Sequence, residues 1–542
     1  MRQKALSGTA PSFRFWHWQG LSAPGGPTGS GAGMTQTRTI FGMWLLAGLM
    51  LGAPLAAQQA DGVQTKQYDD GGVYEGTFLN GLQHGTGTYR LPNGYEYTGE
   101  WVEGEIRGNG VARFPNGSVY EGQFLRGKPE GVGRIVFTDG GTYEGEWADG
   151  KITGQGIASY ANGMRYEGGF LEAMHHGRGV MQSPGGYVYD GMWERGVKQG
   201  TARITYPDGA VYEGEVVNGA REGQGTLTMP DGLIYEGTWK AGQINGEGKL
   251  TQSNGDVYEG TLVDGRREGQ GRVTYASGDT YVGGFVNDLR EGQGTFTGTD
   301  GYVYEGSWVA GQIAGQGRVT YPDGSVYEGQ FRADLPDGQG KITYPDGSTY
   351  EGAWAAGVIE GEGRAAYANG MVYEGGFREA RNHGRGVMTY PDGYRYEGEW
   401  LDGQRHGQGV ATYPDGTVYT GQFVNGLREG TGEIVMPDGF RYSGAWRAGE
   451  IDGRGTATYA NGDVYEGMFS AGRRQGEGTM RYASGQEVTG VWQNGTPPDA
   501  DGTDETAPAV EEAPDEPPAD TPADAPEAAP AETPDTPAVP AD

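Results

Sequence analysis

The sequence predicts an all-β protein: an elongated, twisted ribbon or solenoid built from one sheet of tandem β-hairpins. Tyrosine recurs every 23 residues from Tyr74 to Tyr465 without an insertion or deletion. Glycine supplies 107 of the 542 residues, which leaves little aliphatic material for a thick core. Side chains alternate with period two, the period of a strand. Stacked units that bury each other's faces require such a fixed register, so we interpret the chain as a repeat array.

Each repeat is predicted to form two short strands and two turns. In one typical copy Tyr396, Gly398 and Trp400 lie two residues apart and share a face, while the glutamates between them face the other way. A helix is excluded, because the repeat carries five glycines and no apolar residues at helical spacing. Residues 413–416 read Tyr-Pro-Asp-Gly, which predicts a type I turn.

The glycines of the repeat are predicted to make room for the aromatic rings. Glycine normally weakens a strand interior, but Gly398, Gly407 and Gly409 would leave space beside Tyr396 and Trp400. Rings could then lie across bare backbone, the arrangement known as aromatic rescue. We therefore expect the sheet to pack on itself.

Two longer periods overlie the 23-residue spacing. Phe and Trp alternate four residues after the tyrosine; Trp copies mostly place isoleucine at the predicted hairpin tip, and Phe copies place charge or histidine there. Residues 160–170 match 367–377, and 218–232 match 425–439, both at an offset of 207 residues or nine repeats. We predict an array, residues 72–496, with two nine-repeat halves (74–280 and 281–487) and a terminal partial repeat in which Val488 replaces the tyrosine.

The N-terminal residues predict export. Residues 34–57 combine a basic start, an apolar run and small residues, the pattern of a cleaved signal peptide. An uncleaved anchor is the alternative, but the run is shorter than the ~20 residues of a spanning helix, and Pro54 ends it. Residues 1–33 are predicted to be an upstream mis-start or disordered leader, and 58–71 a short linker. We expect a mature chain that begins near Gln58 and is periplasmic, extracellular or membrane-associated.

Charge and composition exclude several classes of function. The formal net charge is −32, and cysteine is absent, which excludes disulfides and thiolate metal sites. Residues 497–542 hold fourteen Asp or Glu, twelve Pro and no Lys or Arg, which predicts a disordered acidic tail that spaces, solubilises or interacts. Binding nucleic acid needs a basic surface, so no nucleic-acid partner is expected.

The motif Y-E-G-x-[WF]-x-x-G-x-x-x-G-x-G at this spacing resembles the MORN repeat, the membrane occupation and recognition nexus motif, over about residues 72–496. The resemblance implies a chain of β-hairpins in one elongated sheet, used for scaffolding, oligomerisation and attachment to membranes or partner proteins. Some phosphatidylinositol-phosphate kinases carry such repeats. This sequence contains neither a phosphate-binding glycine loop with its lysine nor a catalytic-loop pattern, so no kinase domain is expected.

Three sets of residues are candidates for chemistry, and each has a plainer structural interpretation. The glutamates that follow the tyrosines could act as acid and base, but their surroundings are nearly identical, so we expect a solvated face partly paired with tip arginines. Asp-Gly turns, such as that of Asp415, could bind calcium, but the turn itself requires these residues. His175 and His176 could bind a metal weakly or be polar tip residues. We predict no catalytic site, metal site or cofactor.

The predicted function is a non-catalytic scaffold or interaction protein of the cell envelope, presenting a repeated aromatic β-surface to protein partners or to itself. The alternative is a surface protein that binds membrane lipid or glycan, although an acidic array does not attract an anionic leaflet. The predicted partner-binding residues are Tyr97, Trp101, Tyr143, Trp147, Tyr304, Trp308, Tyr350, Trp354, Tyr396, Trp400, Tyr442 and Trp446.

Overall fold

The described chain is built from β-strands. The computed structural model describes residues 61–498, which contain 38 strands and no helix. The predicted all-β class of tandem hairpins is confirmed. The predicted signal peptide and leader, and the tail from residue 499 onward, lie outside the described residues. Between residues 61 and 498 there is no helix that could cross a membrane.

The described residues form two compact units: 61–253 with 263–265, and 254–262 with 266–498. Within each unit, strands pair antiparallel with their neighbours in the chain, which gives one open sheet. The first strands are β1 Asp61–Gln67, β2 Val73–Leu79, β3 Leu82–Arg90, β4 Glu96–Val102, β5 Glu105–Arg113, β6 Val119–Leu125, β7 Lys128–Val136, β8 Thr142–Ala148, β9 Lys151–Ser159, β10 Arg165–Leu171, β11 Met174–Gln182, β12 Val188–Glu194, β13 Val197–Thr205, β14 Val211–Val217, β15 Ala220–Thr228, β16 Ile234–Lys240 and β17 Gln243–Thr251. The remaining strands are β18 Val257–Val263, β19 Arg266–Thr274, β20 Thr280–Val286, β21 Leu289–Thr297, β22 Val303–Val309, β23 Gln312–Thr320, β24 Val326–Arg332, β25 Leu335–Thr343, β26 Thr349–Ala355, β27 Val358–Ala366, β28 Val372–Arg378, β29 Arg381–Thr389, β30 Arg395–Leu401, β31 Gln404–Thr412, β32 Val418–Val424, β33 Leu427–Val435, β34 Arg441–Arg447, β35 Glu450–Thr458, β36 Val464–Ser470, β37 Arg473–Arg481 and β38 Glu487–Trp492.

Each repeat contains a short strand with the column tyrosine, then a long strand. In one repeat these are β32, of seven residues, and β33, of nine. The two-residue turn between them has positive φ at both positions, 49° at Asn425 and 83° at Gly426. This geometry is that of a type I′ turn, which matches the twist of a hairpin. We call the side of the sheet that holds these turns the hairpin-turn edge.

The connection between repeats is the predicted Tyr-Pro-Asp-Gly turn. The Gly416 amide donates to the Tyr413 carbonyl at 2.9 Å, and Gly416 has a φ of 92°. The Asp415 Oδ1 accepts the Thr417 amide at 2.8 Å, which closes an Asx turn. The prediction of a turn at residues 413–416 is confirmed.

Each hairpin contains a bulge that the sequence pattern did not reveal. Gly421 pairs with Gly432, but the next pair is Phe423 with Arg428, so one short-strand residue opposes three of the long strand. Gly430, in the bulged segment, has a φ of 71°. Arg428 therefore lies in the long strand, and its predicted position at the hairpin tip was wrong because the turn is only two residues long.

The tyrosine rings lie over glycine backbone, as predicted. A Cβ built on Gly398 or on Gly409 would lie 2.5 Å from the Tyr396 hydroxyl oxygen. Gly407 was wrongly included in this set. It has a φ of 63° in the bulge, and a Cβ there would meet the Glu399 side chain instead of the ring.

Both ends of the described array depart from the regular repeat. Residues 61–67, within the predicted linker, form β1, and Lys66 pairs with Tyr74 of β2. At the other end Val488 replaces the column tyrosine, and Pro498 covers Gly490, since a Cβ built there would lie 2.5 Å from the proline Cγ. The proline ring covers glycine backbone as the column tyrosine does in a regular repeat.

Candidate interaction surface

Edge-to-face aromatic contacts link successive repeats. The Tyr419 ring lies 5.1 Å from Phe423 of its own repeat and 5.1 Å from Trp446 of the next, at angles of 87° and 81°. Tyr442 continues the row against Trp446 at 5.6 Å. Such pairs each contribute about 0.5–1.5 kcal/mol beyond area burial. The aromatic columns therefore hold the repeats together.

The polar atoms of these rings are satisfied inside the sheet. The Tyr396 hydroxyl donates to the carbonyl of Glu399, the short-strand residue at the bulge, at 3.0 Å. The Trp400 Nε1 donates to the Gly386 carbonyl of the preceding repeat at 3.3 Å. The bulge thus leaves a carbonyl that the column tyrosine is placed to satisfy.

All twelve side chains predicted as partner contacts are buried. The six tyrosines are at most 1% exposed and the six tryptophans 2–7%. This burial assigns them a packing role, and their use as direct partner contacts stays a prediction. The residues concerned are Tyr97, Trp101, Tyr143, Trp147, Tyr304, Trp308, Tyr350, Trp354, Tyr396, Trp400, Tyr442 and Trp446.

Cationic side chains cover part of the aromatic columns. We call the residue nine positions after each column tyrosine the roof residue. Arg405, a roof residue only 4% exposed, places its Cζ 5.7–5.9 Å from the ring centroids of Tyr394, Tyr396 and Phe423. It donates to the Tyr394 hydroxyl at 2.6 Å and the Gly426 carbonyl at 2.8 Å. Arginines near the turn were expected to pair with the column glutamates, but the register of the bulged hairpin places Arg405 opposite Trp400, on the face that carries the rings.

Roof residues also join each hairpin to the next hairpin's turn. The Gly449 amide donates to the Arg428 carbonyl at 2.9 Å, and Arg428 Nε donates back to the Gly449 carbonyl at 3.1 Å. The neighbouring Glu429 accepts the Ala448 amide at 2.8 Å. The side chains of Arg428 and Glu429 therefore form hydrogen bonds with backbone groups that the type I′ turn itself leaves unpaired.

The column glutamates form a solvated face, as expected, but their partners differ from those expected. Arg318 of a long strand lies 3.0 Å from Glu328, and Arg364 lies 2.8 Å from Glu374. Both glutamate side chains are 62% exposed. Exposed pairs of this kind contribute ~0–1 kcal/mol. The arginines concerned come from the long strands and not from the tips.

The adjacent histidines point to opposite faces of β11. His175 is 6% exposed, stacks on Tyr166 at 3.8 Å, and has its Nε2 2.6 Å from the Tyr160 hydroxyl. Burial lowers the pKa of His175 to about 4. On the other face, His176 Nδ1 accepts the Arg195 amide at 3.5 Å. This placement does not let the pair share a metal ion, and residues 61–498 contain no cluster of three His, Asp or Glu suited to one.

The Asp-Gly turns use their carboxylates internally. The two Asp415 oxygens accept the Thr417 amide and hydroxyl at 2.8 and 3.0 Å. The Asp323 oxygens accept the same two groups of Ser325, both at 2.8 Å. This pattern supports the structural interpretation of the turns over calcium binding.

Exposed aliphatic side chains line the hairpin-turn edge, a feature that the sequence analysis missed. They occupy the positions five and eight residues after the column tyrosine, directly flanking the type I′ turns. The signal was visible as aliphatic residues in those two columns. We call this set the aliphatic edge: Leu82, Val102, Leu125, Val197, Val217, Val263, Val286, Leu289, Val309, Val358, Leu401, Val424 and Leu427.

A polar trough of about 870 Å³ crosses the second unit on the face opposite the tyrosines. Its floor is the backbone of paired glycines from β20 to β26, such as Gly306 and Gly317. The side chains that form its walls are Gln270, Gln293, Gln316 and Gln339 along one side, and Val282, Thr295, Glu305, Arg318, Glu328, Lys341 and Glu351 along the other. The first unit contains a shorter trough of about 500 Å³ between residues 224 and 248.

The repeats match a known family. A family model described as MORN repeat matches eighteen consecutive segments, from 74–94 to 465–487. The nineteenth copy, at Val488, lies outside these matches. The chain is 45% identical to Alsin of Rattus norvegicus and 41% identical to Alsin of Homo sapiens, each over 58 residues. These residues are 10% of this chain and 4% of each Alsin, so the chain spans about 4% of the length of these curated relatives.

Solved structures show distant likeness. The SAS-4 TCP domain of Drosophila melanogaster, in complex with a proline-rich motif of Ana2, is 12% identical with a TM-score of 0.19, covering 37% of this chain and 90% of that one. A streptogramin B lyase is 12% identical with a TM-score of 0.10, covering 55% and 91%. At these TM-scores neither likeness carries an argument about function.

Proposed function

Because the chain belongs to the MORN repeat family, we propose that it is a non-catalytic scaffold of the cell envelope that binds a protein partner, or a second copy of itself, at many equivalent sites. Repeats of this family serve interaction and are not enzymes in general. The envelope location rests on the signal-peptide pattern of residues 34–57.

The aliphatic edge carries this proposal. Val286 and Leu289 flank one type I′ turn and are 44% and 45% exposed, and Val424 and Leu427 flank another at 41% and 43%. Covering such side chains yields about 25 cal/mol per Å² of apolar surface. Exposed aliphatic side chains flank the turns of eleven repeats, and where two such repeats are adjacent their turns lie about 10 Å apart. A partner with matching repeats would gain from multivalency without strong individual contacts.

Capture from envelope extract, followed by binding of the purified partner, tests the scaffold role. The full mature chain with Val286→Ser, Leu289→Ser, Val424→Ser and Leu427→Ser should bind the identified partner at least tenfold more weakly. The control carries Val132→Ser and Met192→Ser, which change side chains 60% and 42% exposed away from the edge. Equal losses in both variants would contradict the proposal. Sedimentation with zwitterionic vesicles and no protein capture would favour the lipid alternative.

The location has its own test. N-terminal sequencing of the exported chain should begin near Gln58. Recovery of an intact 34–57 segment in the membrane fraction would show a retained anchor instead. A chain that is not exported would contradict the proposed envelope location.

A further inference from the structure

The glutamine wall of the polar trough is not required by the fold. Gln293, Gln316 and Gln339 follow one another at the repeat spacing and are exposed. At the offset of 207 residues, the N-terminal half carries Thr86, Asn109 and Val132. Those residues occupy the same register, since Asn109 and Gln316 each precede a paired glycine of a long strand. The repeat thus folds with or without glutamine at this position, so the uninterrupted run from Gln270 to Gln339 needs another explanation.

Cationic side chains compensate most of the negative charge on the opposite wall. Arg318 lies 3.8 Å from Glu305 and 3.0 Å from Glu328, and Lys341 stands between Glu328 and Glu351 in strand order. Glutamine amides across the trough are neutral donors and acceptors. In a chain with a net charge of −32, this wall carries three glutamates, one arginine and one lysine, so its net charge is only −1. Such a surface suits an uncharged ligand rich in hydroxyl groups better than a polyanion or a lipid tail.

The trough is long and repetitive. It crosses eight strands, β19 to β26, which corresponds to roughly 34 Å at the usual strand separation. The same amide recurs every second strand, so the occupant should repeat its own donors and acceptors at a similar interval. An extended peptide is a poorer fit, because it binds sheets through a free strand edge and the strands along this trough are already paired on both sides.

We propose that the polar trough binds an uncharged, unbranched polysaccharide that lies along it and is hydrogen-bonded by Gln293, Gln316 and Gln339. This inference adopts the glycan alternative of the sequence analysis but moves the site from the aromatic columns to the opposite face. It does not rest on the protein-scaffold role, since the aliphatic edge is a different surface.

Calorimetric titration of the full mature chain with cello-, malto- and chito-oligosaccharides tests this proposal. At least one series should bind, with affinity that rises with length until the trough is spanned and that is unchanged by salt. The variant Gln293→Ala, Gln316→Ala, Gln339→Ala should bind at least tenfold more weakly. The matched control is Thr86→Ala, Asn109→Ala, Val132→Ala, which should bind as the unmodified chain does.

Several results would overturn the proposal. They are no binding by any of the three series, equal weakening in the two variants, or a steep loss of binding with salt. Circular dichroism of both variants verifies that the exposed substitutions leave the fold intact. Because neither variant changes the aliphatic edge, retained partner capture with lost glycan binding would separate this inference from the proposed scaffold function.

Discussion

The two nine-repeat halves cover the same aromatic columns with partly different roof residues. The apolar roof positions are identical at the 207-residue offset, whereas several polar ones differ. In chain order the N-terminal half has Gln83, Ile106, Pro129, Ile152, His175, Lys198, Arg221, Ile244 and Arg267. The C-terminal half has Arg290, Ile313, Pro336, Ile359, Asn382, Arg405, Arg428, Ile451 and Arg474.

The differences show what a polar roof position requires. Lys198 donates to the Tyr187 hydroxyl at 2.8 Å, and its counterpart Arg405 donates to the equivalent Tyr394 at 2.6 Å. His175 meets the same need through Tyr160. Lysine, arginine and histidine at this position thus each reach a tyrosine hydroxyl, whereas the amide nitrogen of Asn382, the counterpart of His175, is buried without a hydrogen-bond partner. The apolar positions hold the same Ile or Pro in both halves.

The largest effect is expected from what the halves share, the buried tyrosines. Burial raises the pKa of Tyr212 and Tyr235 in one half, and of Tyr281 and Tyr465 in the other, to about 12. The free energy of unfolding therefore keeps its full value below pH 10.0, the pKa of tyrosine in the unfolded chain. It falls as pH rises toward 12, by on the order of 2 kcal/mol per tyrosine. We expect both halves to unfold cooperatively at alkaline pH. Far-ultraviolet circular dichroism measures the loss of strand structure. A half that keeps its strands at pH 12 would break the equivalence.

An acid response should distinguish the halves. The pKa of His175 falls from 6.5 to about 4 through burial, while Asn382 holds the equivalent position. The folded state binds fewer protons, so stability present above pH 6.5 is lost as pH falls toward 4, by on the order of 2–3 kcal/mol. Hydrogen exchange should accelerate in β10–β12 and not in β28–β30. The variant His175→Asn should remove the difference, and its persistence there would refute the assignment to His175.

A reciprocal exchange tests the glycine stripe. Gly409 lies under the Tyr396 ring, and a Cβ there would be 2.5 Å from the hydroxyl, yet the equivalent residue of the N-terminal half is Ala202. Gly409→Ala should destabilise β30–β31 by about 1–3 kcal/mol through overpacking, and Ala202→Gly should relieve part of that cost in β12–β13. Local hydrogen exchange measures both. No change in either would show that the ring adapts freely.

The sequence predicted what depends on short-range periodicity and missed what depends on the bulge. Tyr396, Gly398 and Trp400 reveal their common face because alternation is local. The position of Arg405 depends on strand pairing: two extra long-strand residues offset the register between Gly398 and Glu399, so Trp400 pairs with Arg405 and not with Gly407. The class of fold and the ring-on-glycine packing were therefore predictable, but the burial of the roof cations was not.

The candidate surfaces were hidden for a related reason. The run of Gln293, Gln316 and Gln339 is visible in the sequence, but alternation alone does not show that a trough separates it from the Glu and Arg wall. Likewise, the aromatic columns predict an exposed binding surface from the sequence alone. The contact of Tyr419 with Phe423 shows instead that the rings cover one another.

The smallest effect is expected at the hairpin turns, where the halves differ in left-handed residues. Asp149 has a φ of 49°, and the equivalent Ala356 has 47°. Aspartate and asparagine tolerate this region better than alanine, by up to ~1 kcal/mol. Ala356→Asn should therefore stabilise its hairpin by several tenths of a kcal/mol, and Asp149→Ala should weaken the other similarly. The ion pair of Asp149 with Lys128 adds little, because the aspartate is 78% exposed. Hydrogen exchange of the two turns decides the sign, and a destabilising Ala356→Asn would mean that contacts of the turn with the preceding hairpin outweigh backbone strain.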